Sequence, residues 1–314
     1  MKMLFKFVAA IALAGTIPSL ATAADFPSRP VSLVVPFNAG GSTDLLGRAF
    51  SREMEEILGV PFPVKNIGGG AATIGTANVA RARPDGYTLG YVAAAPLISQ
   101  PHMRETPYTT ADFTYICKTF DSPQVLVTKP DSPFDNLDDL VAYARQHPGE
   151  LTYGSPGPGS LPHLAMETFL AETGIDIRHV PMNGDAAGAA AIMGGHIDLM
   201  MAVIPIALQN DLRTIAVMSD ERSDQLPDTQ TSVEQGYETT FSWWGGLVAP
   251  KNIPEEAADK LGKACAKATS QERYLKVLSR LGATAGYLDG ADFADEVSTQ
   301  SAATAKIIAN IQSE

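Results

Sequence analysis

Cationic side chains are scarce in this 314-residue chain: 23 lysines and arginines stand against 35 aspartates and glutamates, a formal net charge of −12. That deficit argues against nucleic acid and anionic lipid as partners, because both require a basic face. Histidine is rare too. The five copies, His102, His147, His163, His179 and His196, show no His-Glu-x-x-His or comparable ligand spacing, so no metal site is expected. Two cysteines, Cys117 and Cys265, are too few for a disulfide framework. Each lies in an apolar-patterned segment where either a bridge or a buried free thiol fits. No glycine loop ends in Lys-Ser or Lys-Thr, and no Gly-x-Gly-x-x-Gly follows a strand, so no nucleotide cofactor is expected.

What is present begins with a leader. Lys2 and Lys6 precede an apolar run from Phe7 to Ile17, then Pro18 and the small residues Ala21-Thr22-Ala23, which reads as a secretory signal peptide, residues 1–23, cleaved before Ala24. The run is shorter than the roughly 20 residues a spanning helix needs. No cysteine near the cleavage point offers a site for lipid, so the expected location is the periplasm of a two-membrane bacterium. Loss of the two lysines takes the charge from −12 to −14. About 290 residues remain, close to the size at which chains split into two lobes.

Short β-branched runs alternate with stretches of helical period, the pattern of a parallel sheet wrapped by helices, an α/β fold. Strands are expected at Val31 to Phe37, Phe62 to Asn66, Tyr87 to Ala93, Gln124 to Thr128, Leu151 to Ser155, Ile177 to Pro181, Leu199 to Val203 and Thr214 to Met218. A first helix carries Leu45, Leu46, Ala49, Met54, Ile57 and Leu58 on one face and stops at Gly59 and Pro61. Others are expected at Ala72 to Ala82, Leu137 to Gln146, Leu161 to Glu172 and Ala186 to Met193. Gln124 to Thr128 and Phe241 to Val248 read as crossing segments between lobes, with only helices after the second.

Two strand–glycine loop–helix units stand out, "VVPFNAGGSTDLLGRAF" (34–50) and "LTYGSPGPGSLPHLAMETF" (151–169). The first N–H groups of a helix have no intrahelical partners and carry about half a positive charge, so such a spot binds anions without a lysine. Gly40 and Gly41 keep the backbone bare, and Ser42, Thr43 and Asp44 add polar groups at the same mouth. Gly68-Gly69-Gly70, Ala93-Ala94-Ala95, Gly157-Pro158-Gly159-Ser160 and Asn183-Gly184 follow the same strand-to-helix logic, and in an open α/β sheet such loops gather at the carboxyl ends of the strands. Many donors and little charge suit a carboxylate. A competing reading is an ester hydrolase built on Ser155 or Ser160 with His163, although Ser42 and Ser155 each miss the Gly-x-Ser-x-Gly elbow by one residue.

Taken with "FPSRPVSLVVPFNAGGSTDLLGRAF", "ARARPDGYTLGYV", "HVPMNGDAAGAAAIMGGHIDLMMAVIPIAL" and "FSWWGGLVAPKNIP", these units resemble, over essentially the whole mature chain, the substrate-binding proteins of tripartite tricarboxylate transporters, the Bug or TctC type. The resemblance implies a type II-like periplasmic binding protein fold of two lobes, 24–123 plus 245–314 and 124–244, each a mainly parallel sheet flanked by helices, hinged near 124–128 and 241–248. It implies a periplasmic receptor, not an enzyme, that closes on a small organic carboxylate and presents it to membrane subunits; a ligand-presenting sensor would use the same site. The chain is expected to act as a monomer. The site residues implied are Phe37, Ala39, Gly41, Ser42, Thr43 and Asp44 in the first loop, then Gly70, Ala71, Ala93 and Ala94. The second lobe would add Ser155, Gly159, Ser160, His163, the turn Met182, Asn183 and Gly184, and Ala202 as an apolar wall. Relatives often carry an aromatic-Lys-Gly turn where this chain has Met182-Asn183-Gly184, and Pro158 and Pro162 replace small polar residues. Both departures point to a carboxylate with a sizeable apolar body.

Overall fold

The computed structural model describes residues 25–182 and 184–313; the expected leader and Asn183 lie outside them. The first half runs β1 (Ser32–Val35), α1 (Ser42–Leu58), β2 (Val64–Asn66), α2 (Thr73–Ala80), β3 (Thr88–Ala93) and the short helices α3 (Ala94–Ile98) and α4 (Gln100–Met103). The long strand β4 (Phe113–Thr128) leads into the second half: α5 (Leu137–Gln146), β5 (Thr152–Ser155), α6 (Leu161–Thr173), β6 (Arg178–Pro181), α7 (Asp185–Met193), β7 (Leu199–Val203), α8 (Ile204–Gln209) and β8 (Arg213–Val217). Strand β9 (Ser242–Pro250) returns, followed by α9 (Glu255–Ala268), α10 (Glu272–Arg280), β10 (Leu288–Asp289) and α11 (Gly290–Ser313).

A strand lies at every expected position: β1, β2, β3, β5 and β6 are shorter at one or both ends, β7 matches, β8 is shifted back by one residue and β4 is longer. Three differences have physical causes. Strand β4 starts at Phe113 rather than Gln124, because Phe113–Pro123 pairs along β9 and is largely buried, which outweighs the break suggested by Asp121-Ser122-Pro123. Pro123 falls where β4 hands over from β9 to β7, a position at which a missing N–H is tolerated. The C-terminal region is not helical throughout, since β10 pairs with β4. Ala93-Ala94-Ala95 is no loop: Ala93 ends β3, and α3 starts at the next residue.

The sheet order is β2-β1-β3-β9-β4-β7-β5-β6, with β8 and β10 also on β4. Strands β1, β2 and β3 are parallel to one another, as are β5, β6 and β7, while β4 and β9 run antiparallel between the two sets, so the sheet is mixed. Alternation along the strands divides the core into four clusters. In the first half Leu33, Val35 and Tyr91 pack under α1, α9 and α10, and Val34, Val92 and Val248 under α2, α3 and α11. In the second, Leu126, Tyr153 and Met201 face α5 and α6, and Val125, Met200 and Ala202 face α7 and α8. Cys117 on β4 and Cys265 on α9 are disulfide-bonded within the first cluster, with both sulfurs fully buried.

Candidate functional site

Parallel pairing puts the carboxyl ends of β1, β2 and β3 on one edge, and those of β5, β6 and β7 likewise, so the loops after them form two clusters at the places where α/β sheets bind ligands.

The loop after β1 is shaped from inside. Asp44, 2% exposed, accepts the Gly40 N–H at 2.8 Å and the Asn66 Nδ2–H at 2.8 Å, and lies 3.0 Å from Arg48 Nε. Asn66 also donates to the Phe37 carbonyl at 3.1 Å and accepts from Arg48 at 2.8 Å. Burial alone would raise the Asp44 pKa; the hydrogen bonds from Gly40, Arg48 and Asn66 outweigh it and hold the carboxyl below its ordinary value. Asp44 therefore turns into the protein and fixes the loop, leaving its negative charge neutralised and out of the mouth. The mouth itself consists of exposed Ala39, Gly40, Gly41 and Ser42 beside half-buried Phe37 and buried Thr43. Helix α1 begins there after Gly41 with no side-chain cap, so its first-turn N–H groups have neither an intrahelical partner nor a capping side chain.

The neighbouring loop is strained. Gly69, Gly70, Ala71 and Ala72 all have positive φ, at 107°, 57°, 53° and 72°, and for the two alanines this costs about 1–2 kcal/mol each. Thr73 Oγ1 ties the turn to the Gly70 carbonyl at 2.7 Å. Gly68 permits the close approach of the two loops, since a Cβ there would lie 2.4 Å from Asn38 Oδ1.

The loop after β5 is built in the opposite way. Ser155 Oγ lies 2.7 Å from His179 Nε2 and accepts the Gly157 N–H at 3.1 Å. His163 Nδ1 accepts the Gly159 N–H at 3.2 Å, and Ser160 Oγ caps α6 on the His163 N–H. The pairing that the competing hydrolase reading requires does not form: Ser155 reaches His179 instead of His163, and Ser160 meets the backbone of His163 rather than its ring. The imidazoles of His163 and His179 lie 4.3 Å apart, with Glu167 Oε1 3.9 Å from His163 Nε2. Burial pushes the His163 pKa down to about 4, and burial together with His163 pushes His179 to about 4 against a smaller opposing pull from Glu167. Between pH about 6.5 and about 4 the unfolded chain then binds protons that the folded one does not, so stability falls as pH drops through that window. His163→Asn can still accept the Gly159 N–H without titrating. We expect it to flatten the loss of melting temperature between pH 6.5 and 4.5; an unchanged slope would remove His163 from this account.

Met182 N–H donates to the Ser155 carbonyl at 2.8 Å, placing the turn before α7 beside this loop, with Gly184 at φ 96°; Asn183 lies outside the described residues. Ala202 is not a wall of the mouth, because its side chain is fully buried under α7 and α8. Ala93 and Ala94 are buried too, so they contribute backbone position rather than surface. The two halves touch here. A Cβ on Gly159 would lie 2.8 Å from Met103 Sδ on α4, and Leu161, 8% exposed, belongs to the same core cluster as Leu97, Ile98 and Val297 of the first half.

Sequence reasoning missed Arg48, Asn66 and His179. Arg48 carried a signal, the i,i+4 spacing from Asp44. Asn66 and His179 carried none, because their partners are 22 and 24 residues away.

A family model described as the tripartite tricarboxylate transporter family receptor matches residues 46–312. A TctC solute-binding protein from Polaromonas, solved without ligand, superposes with a TM-score of 0.84 at 30% identity, covering 91% of this chain and 99% of that one. MatC from Rhodopseudomonas palustris, solved with bound malate, gives a TM-score of 0.72 at 27% identity over 90% of this chain and all of that one, 100%. Another R. palustris protein, solved with adipate, gives 0.72 at 30% identity, covering 90% and 97%.

Proposed function

The chain belongs to the tripartite tricarboxylate transporter receptor family, and on that premise we propose that it captures a small organic carboxylate in the periplasm and presents it to the membrane subunits of such a transporter. The observation that carries the reading is the uncapped start of α1 at the exposed Ala39–Ser42 turn. Uncapped N–H groups at the positive end of a 17-residue helix stabilise a carboxylate without a cationic side chain. Relatives solved with malate and with adipate bind the same chemical class.

The first lobe is residues 24–123 plus 245–314 and the second 124–244, hinged near 124–128 at the end of β4 and 241–248 along β9. The carboxylate anchors on the first lobe at Gly41, Ser42 and Thr43, with the Gly70–Ala71 turn alongside. The second lobe then swings in, and the Gly159–Met103 and Leu161 contacts describe the shut mouth. The half-buried Phe37 of the first loop and the uncharged Met182 before α7 favour a carboxylate with an apolar or aromatic body.

A thermal-shift screen tests this. Carboxylates with hydrocarbon or aromatic bodies are expected to raise the melting temperature by several degrees at 100 times their Kd, where linkage supplies about 2.7 kcal/mol. Stabilisation by short, fully polar di- and tricarboxylates alone would count against the apolar body; stabilisation by no carboxylate would end the reading.

A further inference from the structure

We propose that the groove between α2 and the edge strand β2 is a surface on which the receptor docks, and that its occupant is an acidic, partly apolar periplasmic loop of a membrane subunit. This rests on the transporter reading above and names the face and the chemistry by which that partner is met.

Strand register builds the groove. Val34 on β1 stands opposite Lys65 on β2, so both side chains lie on the face that α2 covers. Helix α2 is only eight residues long, and it leaves Val34, Ile67 and Ala77 along an open trough of about 670 Å³ beside the sheet edge. Ile74 stands in the first turn of α2 and is 56% exposed, more than any other large apolar side chain among the described residues. A single exposed isoleucine means little. This one continues into a trough with an apolar floor, and Arg81 stands at the other end of the helix, about 10 Å away along its axis.

Charge selects the occupant. Lys65 and Arg81 are exposed, and neither side chain has an ion-pair or hydrogen-bond partner among the described residues, although the chain as a whole carries a formal charge of −12. Periplasmic loops of membrane proteins are poor in lysine and arginine, because cationic loops stay on the cytoplasmic side. An acidic receptor meets such a loop best where its own cations stand free and an apolar side chain can be covered. A second copy of the receptor fits worse. The free edge of β2 would accept another β2, but that pairing sets the cations of one copy against those of the other.

The groove also borders the ligand mouth. Ile74 Cδ1 lies against Gly69, where an added Cβ would come within 2.9 Å of it, and Thr73 ties Gly70 at 2.7 Å. A loop seated on Ile74 therefore touches the turn that flanks the proposed carboxylate anchor.

Biolayer interferometry of the full receptor against the transporter's membrane subunits in nanodiscs, with and without adipate, tests this. Lys65→Glu/Arg81→Glu is expected to weaken docking at least about tenfold, chiefly through slower association, and to flatten its dependence on salt. Ile74→Ser is expected to weaken it about threefold or more, chiefly through faster dissociation. The same charge reversal at exposed sites on α9, Lys263→Glu/Lys267→Glu, should change docking by less than about threefold, and every variant should melt within about 2 °C of the unmodified receptor, as surface substitutions do. Docking that ignores both groove variants, or that falls equally with the α9 reversal, would overturn the inference and leave the transporter reading standing. Self-association of the receptor that Ile74→Ser abolishes would assign the groove to a second copy and overturn it as well. If the unmodified receptor binds none of the membrane subunits, the transporter reading falls and this inference with it.

Discussion

Ser42→Pro is expected to weaken carboxylate binding by about 10- to 150-fold, the effect of losing one N–H bond to a charged acceptor, about 1.5–3 kcal/mol, while the ligand-free melting temperature stays nearly constant. Proline is normally ruinous in a helix, but Ser42 is the first residue of α1, where φ near −65° is already required and the N–H has no intrahelical partner. The preceding residue is compatible as well. Gly41 has φ −75° and ψ 165°, the extended region that a following proline demands. The substitution thus deletes a proposed anchor with little disturbance to the helix that carries it. Ser42→Ala separates the hydroxyl from the amide and should lose much less. If Ser42→Pro binds hexanoate as the unmodified protein does, the first-turn N–H of α1 is not the anchor, and the Ala39–Thr43 assignment falls with it.

Removal of the Cys117–Cys265 bond should be the most destabilising change that spares both loop clusters. The bond spans 148 residues, and closing a loop of that length is worth about 5 kcal/mol on the chain-entropy account, against 2–4 kcal/mol for a typical disulfide. The closed loop holds the entire second half, so the cross-link limits the unfolded chain more than a local bridge would. Its sulfurs are fully buried among Leu247, Leu261 and Ile116, and the double Cys117→Ala/Cys265→Ala variant also leaves a small cavity. At about 2–4 °C per kcal/mol for a chain of this size, the melting temperature should fall by roughly 10–20 °C. Calorimetry of the double variant decides it; a fall under about 3 °C would mean that unfolded-state entropy is not what this bond controls.

The cysteine pair also shows where reading a sequence stops. Both residues lie in apolar patterns, and a bridge and a free thiol predict the same local composition. Their meeting depends on α9 returning across the sheet to lie against β4, which is set by strand order. Ser155 is a second instance. Sequence proximity made His163 its natural partner, yet parallel pairing of β5 with β6 sets Tyr153 opposite His179 and Gly154 opposite Val180, and this register carries the His179 ring to the Ser155 hydroxyl. Ala202 is a third: its place near the carboxyl end of β7 was legible, but the alternation that turns it under α7 and α8 depends on register.

Local chemistry was enough for most of the elements. β-branched runs marked the strands, the apolar stripe from Leu46 to Met54 marked α1, and glycines before helix starts marked the loops, because each signal spans only a few neighbouring residues. The use of those loops was decided in three dimensions. Asn66 and Arg48 anchor Asp44 and so free the first mouth, while His163 and His179 absorb the donors of the second. Hydrogen bonds of this kind are satisfied by whichever partner the packed fold brings within 3 Å or so, and chain-distant partners leave no trace in composition or period.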